Sequence, residues 1–192
     1  KLINALESGD PRMDETLSNN PDNLGGVLWW VVPDWDKFGG YQMVKYTKGE
    51  RGNCFDASFT ILSANNTRII RLADVKLTVA EAYLATSNAS AALKQVNDIR
   101  ERARKSTPDG SESAVPANLS TITMEDIMKE RLVELAGEEG YRWSDLRRWH
   151  AAGYINLNTW GATDFVFNYD PSLFAFDVSK HLLFPIPVSE LD

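Results

Sequence analysis

Two aspartates, Asp34 and Asp36, have the spacing of a catalytic carboxylate pair in this chain of 192 residues. In an extended segment, alternate residues share one face, which would place the two carboxylates about 7 Å apart. Inverting glycosidases use such a separation, with one carboxyl group as general acid and the other as general base. No neighbouring residue predicts the raised pKa that a general acid requires. The sequence therefore predicts no catalytic residue, and we do not expect an enzyme.

Other sets of residues that could do chemistry are missing from the sequence. His150 and His181 are isolated, and Cys54 is the one cysteine. A metal centre built from histidine and cysteine, a Ser/His/Asp set and an internal disulfide are therefore not predicted. No glycine-rich phosphate-binding loop is present either. We expect no metal site and no cofactor.

Three aromatic residues, Trp35, Phe38 and Tyr41, lie in a polar stretch rich in glycine and aspartate that favours a surface loop. Flat aromatic faces can stack on sugar rings while neighbouring polar groups bind the hydroxyls. Asp34 and Asp36 would accept those hydroxyl hydrogen bonds. The five residues are the candidate glycan-binding set. The alternative is that the aromatic side chains pack into the core and so anchor the loop.

A ladder of glutamates precedes a stretch rich in arginine. Glu130, Glu134 and Glu138 recur at four-residue steps, and Arg142, Arg147, Arg148 and Asp145 follow. If the two helices form a hairpin, the arginines come within reach of the carboxylates. Because the planar guanidinium suits bidentate pairing with carboxylates, we interpret this as a structural ion-pair network rather than an anion-binding or catalytic site. Trp143 and Trp149 of the same stretch are expected in the core.

These residues need helices to position them, and the apolar spacing predicts two helical hairpins. The first joins residues 70–86 and 89–104, and the second joins 124–137 and 141–151. Asn88 is among the residues that could cap the second helix, and Thr123 with Asp126 forms a capping box for the third. The positions expected to be buried are Ile69, Leu72, Leu77, Leu84, Leu93, Val96, Ile99, Ile127, Leu132, Leu135 and Leu146.

The rest of the chain is predicted to be irregular. Residues 1–67 are rich in loop-forming residues, and the apolar run at 27–32 indicates one short buried strand. Residues 68–152 hold the hairpins, and 153–192 are irregular again. The 34 positions from 71 to 104 match the length of a tetratricopeptide unit. The predicted fold is mainly α, with tetratricopeptide-like hairpins, long irregular loops and little strand.

Composition and charge exclude several classes of protein. Hydrophobic residues make up 43% of the chain and charged residues 24%, which is ordinary for a globular domain. The formal net charge of −7, without a basic block, argues against nucleic-acid binding. The sequence contains no run of 18 apolar residues, so no membrane-spanning helix is predicted. The first five residues have the character of a helix interior, so we expect a piece of a longer protein.

Several stretches of the chain together resemble the C-terminal part of the SusD/RagB family, the surface lipoproteins of Bacteroidota. The upstream landmarks are Gly9-Asp10-Pro11-Arg12 and Lys45-Tyr46. The most specific motif runs from Glu130-Arg131 through the stretch 138–149. The others are Arg71-Leu72-Ala73-Asp74-Val75, Ala80-Glu81-Ala82, Asn97-Asp98-Ile99-Arg100-Glu101-Arg102-Ala103 and the closing Phe184-Pro185-Ile186-Pro187.

The resemblance implies that residues 1–192 form one domain, the C-terminal portion of a SusD-like fold. It further implies a non-catalytic protein that binds oligosaccharide or polysaccharide at the cell surface. The expected partner is a SusC-like TonB-dependent transporter in the outer membrane. Attachment to that membrane would use a lipid anchor outside this sequence. The alternative function is a helical-repeat scaffold that binds a peptide or protein, because repeat surfaces commonly do so.

Overall fold

The fold of the chain is seen in a computed structural model. Its described residues are 2–18, 42–43, 45, 68–138, 140–160, 176–183 and 190. The helices in chain order are α1 (Leu2–Ala5), α2 (Arg12–Thr16), α3 (Leu72–Ala85), α4 (Ala89–Arg104), α5 (Met124–Glu134), α6 (Tyr141–Ala151), α7 (Leu157–Trp160) and α8 (Val178–His181). The strands are β1 (Leu17–Ser18) and β2 (Gln42–Met43). The mainly helical fold class is confirmed.

The first predicted hairpin is present as α3 and α4. The observed ends of α4 match the prediction, and α3 is shorter than predicted by two residues at its start and one at its end. The side chain of Asn88 accepts a hydrogen bond from the backbone N–H of Ala91, so the predicted cap is confirmed. Leu77 of α3 and Val96 of α4 are fully buried. These apolar stripes form the core of the hairpin.

Helix α5 begins with the predicted capping box. The hydroxyl of Thr123 accepts from the N–H of Asp126, and the Asp126 carboxylate accepts from the N–H of Thr123. The helix ends at Glu134, three residues earlier than predicted, because the chain turns and Gly137 takes a left-handed φ of 73°.

Most of the apolar positions expected in the core are covered, but two predictions were wrong. Ile69 is 75% exposed and Leu72 is 69% exposed. Ile69 precedes α3, and the buried stripe of that helix runs through Ala73, Leu77 and Ala80 instead. Leu72 lies about 100° around the helix from Ala73 and so faces outward. Leu84, Leu93, Leu132 and Leu146 are half-buried, and the remaining positions are buried.

A short antiparallel ladder joins two distant parts of the chain, and the sequence did not predict it. Leu17 pairs with Met43, and Ser18 pairs with Gln42. Leu17 also packs with Leu6 and with Val133 of α5 in a small apolar cluster. The pairing therefore fixes β2 close to α5. The strand predicted at residues 27–32 lies outside the described residues.

The chain divides into two compact units, residues 1–139 and 140–192. Unit 1 holds α1 to α5 and the strand pair, and unit 2 holds α6 to α8. The observed ends of α6 match the prediction. A single domain over 1–192 and the packing of α5 against α6 as a hairpin both stay predictions. In the described parts of the chain, no helix is long and apolar enough to cross a membrane.

Candidate functional site

The candidate glycan-binding set, Asp34, Trp35, Asp36, Phe38 and Tyr41, lies outside the described residues. The described chain resumes directly after it, at Gln42 and Met43 in β2, and includes Lys45. Lys45 lines a cleft of about 280 Å³ in unit 1. We call this the arginine cleft. It is lined by Arg12, Glu15, Thr16, Lys45, Arg71, Arg102, Ser106, Val133 and Glu134.

Three of the carboxylates that bind the cations of the arginine cleft come from α5 and the turn that follows it. Glu130 and Glu134 are each 2% exposed, and the side chain of Glu138 is 1% exposed. The four-residue spacing places Glu130 and Glu134 on one face of α5, as the sequence predicted, and Glu138 lies in the turn after the helix. Buried carboxylates are costly unless cations or hydrogen-bond donors surround them, so partners for these three groups are expected nearby.

Three guanidinium groups converge on the carboxylate of Glu134. Arg102 donates from Nη2 to both oxygens at 2.7 Å, and Arg71 donates from Nη1 to Oε1 at 2.7 Å. Arg12 donates from Nη1 to Oε2 at 3.1 Å. The three arginines come from a loop before α3, from α2 and from α4, so one side chain ties together four parts of unit 1.

The end of α5 is bound by two further cationic contacts. Nζ of Lys45 and Nη2 of Arg71 both donate to the backbone carbonyl of Glu134 at 2.6 Å. The same two side chains hold Glu138, with Lys45 Nζ at 2.5 Å from Oε1 and Arg71 Nε at 2.6 Å from Oε2. Cations at a helix C-terminus satisfy its free carbonyls and complement its dipole.

A second cluster of ion pairs adjoins the first through Arg12. This arginine donates to Asp10 from Nε and Nη2 and to Oε1 of Glu130 from Nη1. The other oxygen of Glu130 accepts from Arg100 at 2.9 Å, and Arg100 also donates to Glu7. The carboxylates therefore form a continuous network with the arginines across unit 1.

The network shifts the pKa values of its members. Burial alone would raise the pKa of Glu134, but the charges of Arg102, Arg71 and Arg12 outweigh burial and hold it below its ordinary 4.5. Burial likewise opposes ionisation of Glu138, and hydrogen bonds from Arg71 and Lys45 bring its pKa below 4.5. Burial lowers the pKa of Lys45, and the neighbouring charge of Arg71 adds to that effect. Cations are therefore crowded in this cleft.

A buried ion-pair network is present around these glutamates, and it includes cations that the sequence did not predict. Sequence reasoning assigned Glu134 and Glu138 to the arginines that follow them on α6. Their described partners are Arg12, Lys45, Arg71 and Arg102, from much earlier in the chain. Within α6, Arg148 does pair with Asp145 at 2.8 Å. Sequence spacing reveals neighbours on one helix, whereas the cleft depends on tertiary contacts between distant segments.

Unit 2 carries its own smaller cleft, of about 220 Å³, lined by Trp143, His181, Leu182 and Leu183. The ring of Phe176 meets Trp143 edge-on at 5.7 Å between centroids. Trp143 is half-buried rather than part of the core, which corrects the sequence prediction. Trp149 is 1% exposed, as expected, and the guanidinium of Arg148 lies 4.9 Å from the centroid of its ring.

Comparison with known proteins identifies the family. The model of the SusD family matches residues 34–192, which is more than half of the chain. The chain belongs to the SusD family. The match begins at Asp34 and so includes the candidate glycan-binding set as well as α3 to α6. Asp10 and Arg12 of the ion-pair network precede the matched residues.

One relative of this SusD-family chain is a SusD-like protein of Bacteroides ovatus. The two are 40% identical over 87 residues, which cover 44% of this chain and 14% of that protein. The matched part thus spans about one seventh of the relative's length. No solved structure matches the chain.

Proposed function

We propose that this SusD-family chain is part of a non-catalytic protein that captures glycans at the outer face of the outer membrane. The protein would be held there by a lipid anchor and would pass oligosaccharide to a SusC-like TonB-dependent transporter. The observation that carries this proposal is the family match over residues 34–192.

The proposed site is the aromatic set Trp35, Phe38 and Tyr41 with Asp34 and Asp36. The rings would stack on the apolar faces of sugar rings, and the carboxylates would accept hydroxyl hydrogen bonds. Supporting this, the residues directly after Tyr41 are held in place by pairing of β2 with β1. A recognition loop attached to a fixed element binds at lower entropic cost than one on a free segment.

The test is calorimetric titration of the full-length protein and its Trp35→Ala variant with oligosaccharides selected on a glycan array. One aromatic–sugar stack is worth about 1–3 kcal/mol, by analogy with base stacking on aromatic side chains. We expect affinity to fall about ten- to a hundredfold with an unchanged melting temperature. The control is Tyr154→Ala, which removes an aromatic ring that is 53% exposed and outside the candidate set. A folded Trp35→Ala protein that binds as tightly as the wild type would contradict this site.

The second candidate function is a helical-repeat scaffold that binds a peptide or protein. The observation favouring it is the apolar surface at the start of α3, where Ile70 is 68% exposed and Leu72 is 69% exposed. Exposed apolar side chains that are contiguous often mark an interaction surface. Binding of peptides but of no glycan, lost in Leu72→Ser, would favour the scaffold over glycan capture.

A further inference from the structure

The apolar surface at the start of α3 continues along the helix as a stripe. Ile69, Ile70 and Leu72 are each at least 68% exposed, Val75 is 45% exposed, and Val79 is half-buried. At about 100° per residue, the three of them that belong to α3 lie within about 60° of one another. We call these five residues the outer stripe. Contiguous apolar surface of this kind commonly marks a place where another surface packs.

The outer stripe is separate from the face that α3 buries inside unit 1. The residues of that buried face are Ala73, Leu77 and Ala80. Their centre lies about 130° round the helix from the outer stripe. On the two sides of the buried face, Asp74 pairs with Arg131 of α5 at 2.9 Å, and Lys76 pairs with Asp98 of α4 at 2.7 Å. Among the described elements, α4 and α5 are the main partners of α3, and both meet the buried face rather than the outer stripe.

Charge does not interrupt the outer stripe where Arg71 falls between Ile70 and Leu72. The guanidinium of Arg71 is directed into unit 1, where it donates to Glu134 and to Glu138. The surface that is offered outward is therefore apolar, and a partner must bring an apolar face to it.

A further helical hairpin is the partner that this surface fits. Residues 71–104, which include α3 and α4, match the length of a tetratricopeptide unit, and α5 packs against α3 as the next helix of a stack would. In stacked repeats each hairpin contacts its neighbours on both sides, and a terminal hairpin needs a polar outer face. Because the outer stripe is apolar, α3 and α4 have the character of an inner hairpin. The 87 residues shared with the Bacteroides ovatus relative are 14% of that protein, so most of its length lies outside the match.

We propose that the outer stripe is the packing surface for a further helical hairpin, supplied by the same polypeptide outside these 192 residues. This inference does not depend on glycan capture. It does bear on the second candidate function, because a hairpin packed on the outer stripe covers Ile70 and Leu72 and leaves them unavailable to a peptide.

The experiment is thiol labelling of the purified full-length protein with a water-soluble maleimide, in a Cys54→Ser background. Leu72→Cys and Val75→Cys are measured separately, and each is checked for an unchanged circular dichroism spectrum. A thiol that is covered by packing reacts only when the interface opens, so both should label at least about tenfold more slowly than an open site on the same helix.

The matched control for that open site is Ala85→Cys. Ala85 belongs to α3, is exposed, and lies about 110° round the helix from the outer stripe. Its thiol should label at the rate of a thiol in solvent. Equal labelling rates in Leu72→Cys, Val75→Cys and Ala85→Cys would overturn the proposal and leave the outer stripe open for the peptide-binding scaffold.

The identity of the occupant is tested with Leu72→p-benzoylphenylalanine in the full-length protein, purified without a transporter. Ultraviolet light should produce a cross-link within one polypeptide, to a helical segment outside residues 1–192. A cross-link that joins two copies, or one that ends inside residues 1–192, would overturn the proposal. Labelling of Leu72→Cys that is slowed only when a transporter is present would overturn it as well.

Discussion

The side chain of Glu134 is bound by three guanidinium groups while being almost completely buried. Burying a charge is costly, and it is tolerated when opposite charges and hydrogen bonds surround it. Removing the negative charge would leave Arg12, Arg71 and Arg102 without the group on which they converge. Removing Glu134 is therefore expected to destabilise the fold by more than its ion pairs stabilise it.

Glu134→Gln should lower the free energy of unfolding by about 3–5 kcal/mol, as expected when one partner of a buried ion pair is lost. Urea denaturation followed by circular dichroism measures this. The control is Glu101→Gln, which breaks an exposed pair with Lys105 and should leave the denaturation midpoint where it was. A small effect at Glu134, similar to that at Glu101, would show that the network is not needed for stability.

The lowered pKa values of Glu134 and Glu138 predict a dependence of stability on pH. A carboxylate with a lower pKa in the folded state binds fewer protons than in the unfolded state, so stability rises with pH. Their contribution is complete above their ordinary value of 4.5 and is lost as pH falls through the folded pKa values. The urea concentration at the denaturation midpoint should therefore decrease when the pH is lowered below about 4.5. The drop should be shallower in Glu134→Gln, and identical profiles would contradict the assignment.

Among the elements, helices whose apolar spacing and caps agreed were predicted well. The ends of α4 and α6 match, and the capping box of α5 has both expected hydrogen bonds. Local features such as these depend on residues three or four positions apart. The ladder between β1 and β2 could not be predicted, because it pairs segments that are 24 positions apart at Ser18 and Gln42, too far for a tight hairpin turn.

In the candidate site, too, the local features could be predicted from the sequence and the long-range contacts could not. The shared face of Glu130 and Glu134 followed from their spacing on α5, but Arg71 and Arg102 as partners of Glu134 did not. Arg71 lies 63 positions from Glu134, and spacing along the chain carries no information about such a contact. The aromatic set from Trp35 to Tyr41 stays a prediction from composition.

The turn after α5 depends on Gly137, which has a left-handed φ of 73°. A Cβ at this position would lie 2.9 Å from Sδ of Met43, so Gly137→Ala combines backbone strain with a displaced side chain. We expect a loss of stability of about 1–2 kcal/mol from the strain, with more from the contact. The measurement is the urea midpoint.

The matched control for this turn is Gly110→Ala. Gly110 has a φ of 76°, and a Cβ there would meet no atom within 4 Å, so strain acts alone. Gly137→Ala should cost more than Gly110→Ala, and the difference should shrink when both are placed in a Met43→Ala background. A constant difference in that background would rule out the contact with Met43.

At the scale of the whole molecule, the described ion-pair network is contained in unit 1. Its members range from Glu7 to Glu138, and the unit ends at Glu139. A unit with its own buried core and its own charge compensation meets the usual condition for folding alone. Unit 1 also contains the arginine cleft and the positions of the candidate glycan-binding set.

A fragment of residues 1–139 should therefore fold on its own. We expect a helical circular dichroism spectrum and a cooperative thermal transition. Introducing Glu134→Gln in the fragment should lower its melting temperature, as in the full chain. A fragment that is helical but melts without cooperativity would show that unit 2 is required, which would favour one domain over 1–192.

The convergence of three guanidinium groups on Glu134 also affects how the protein responds to heat. Removing charged groups from water becomes less costly as temperature rises, because the hydration of ions carries a strongly negative entropy. The attraction between the paired groups does not weaken in proportion. The network should therefore contribute more to the stability of unit 1 near its melting point than at 25 °C, which makes it a source of heat tolerance.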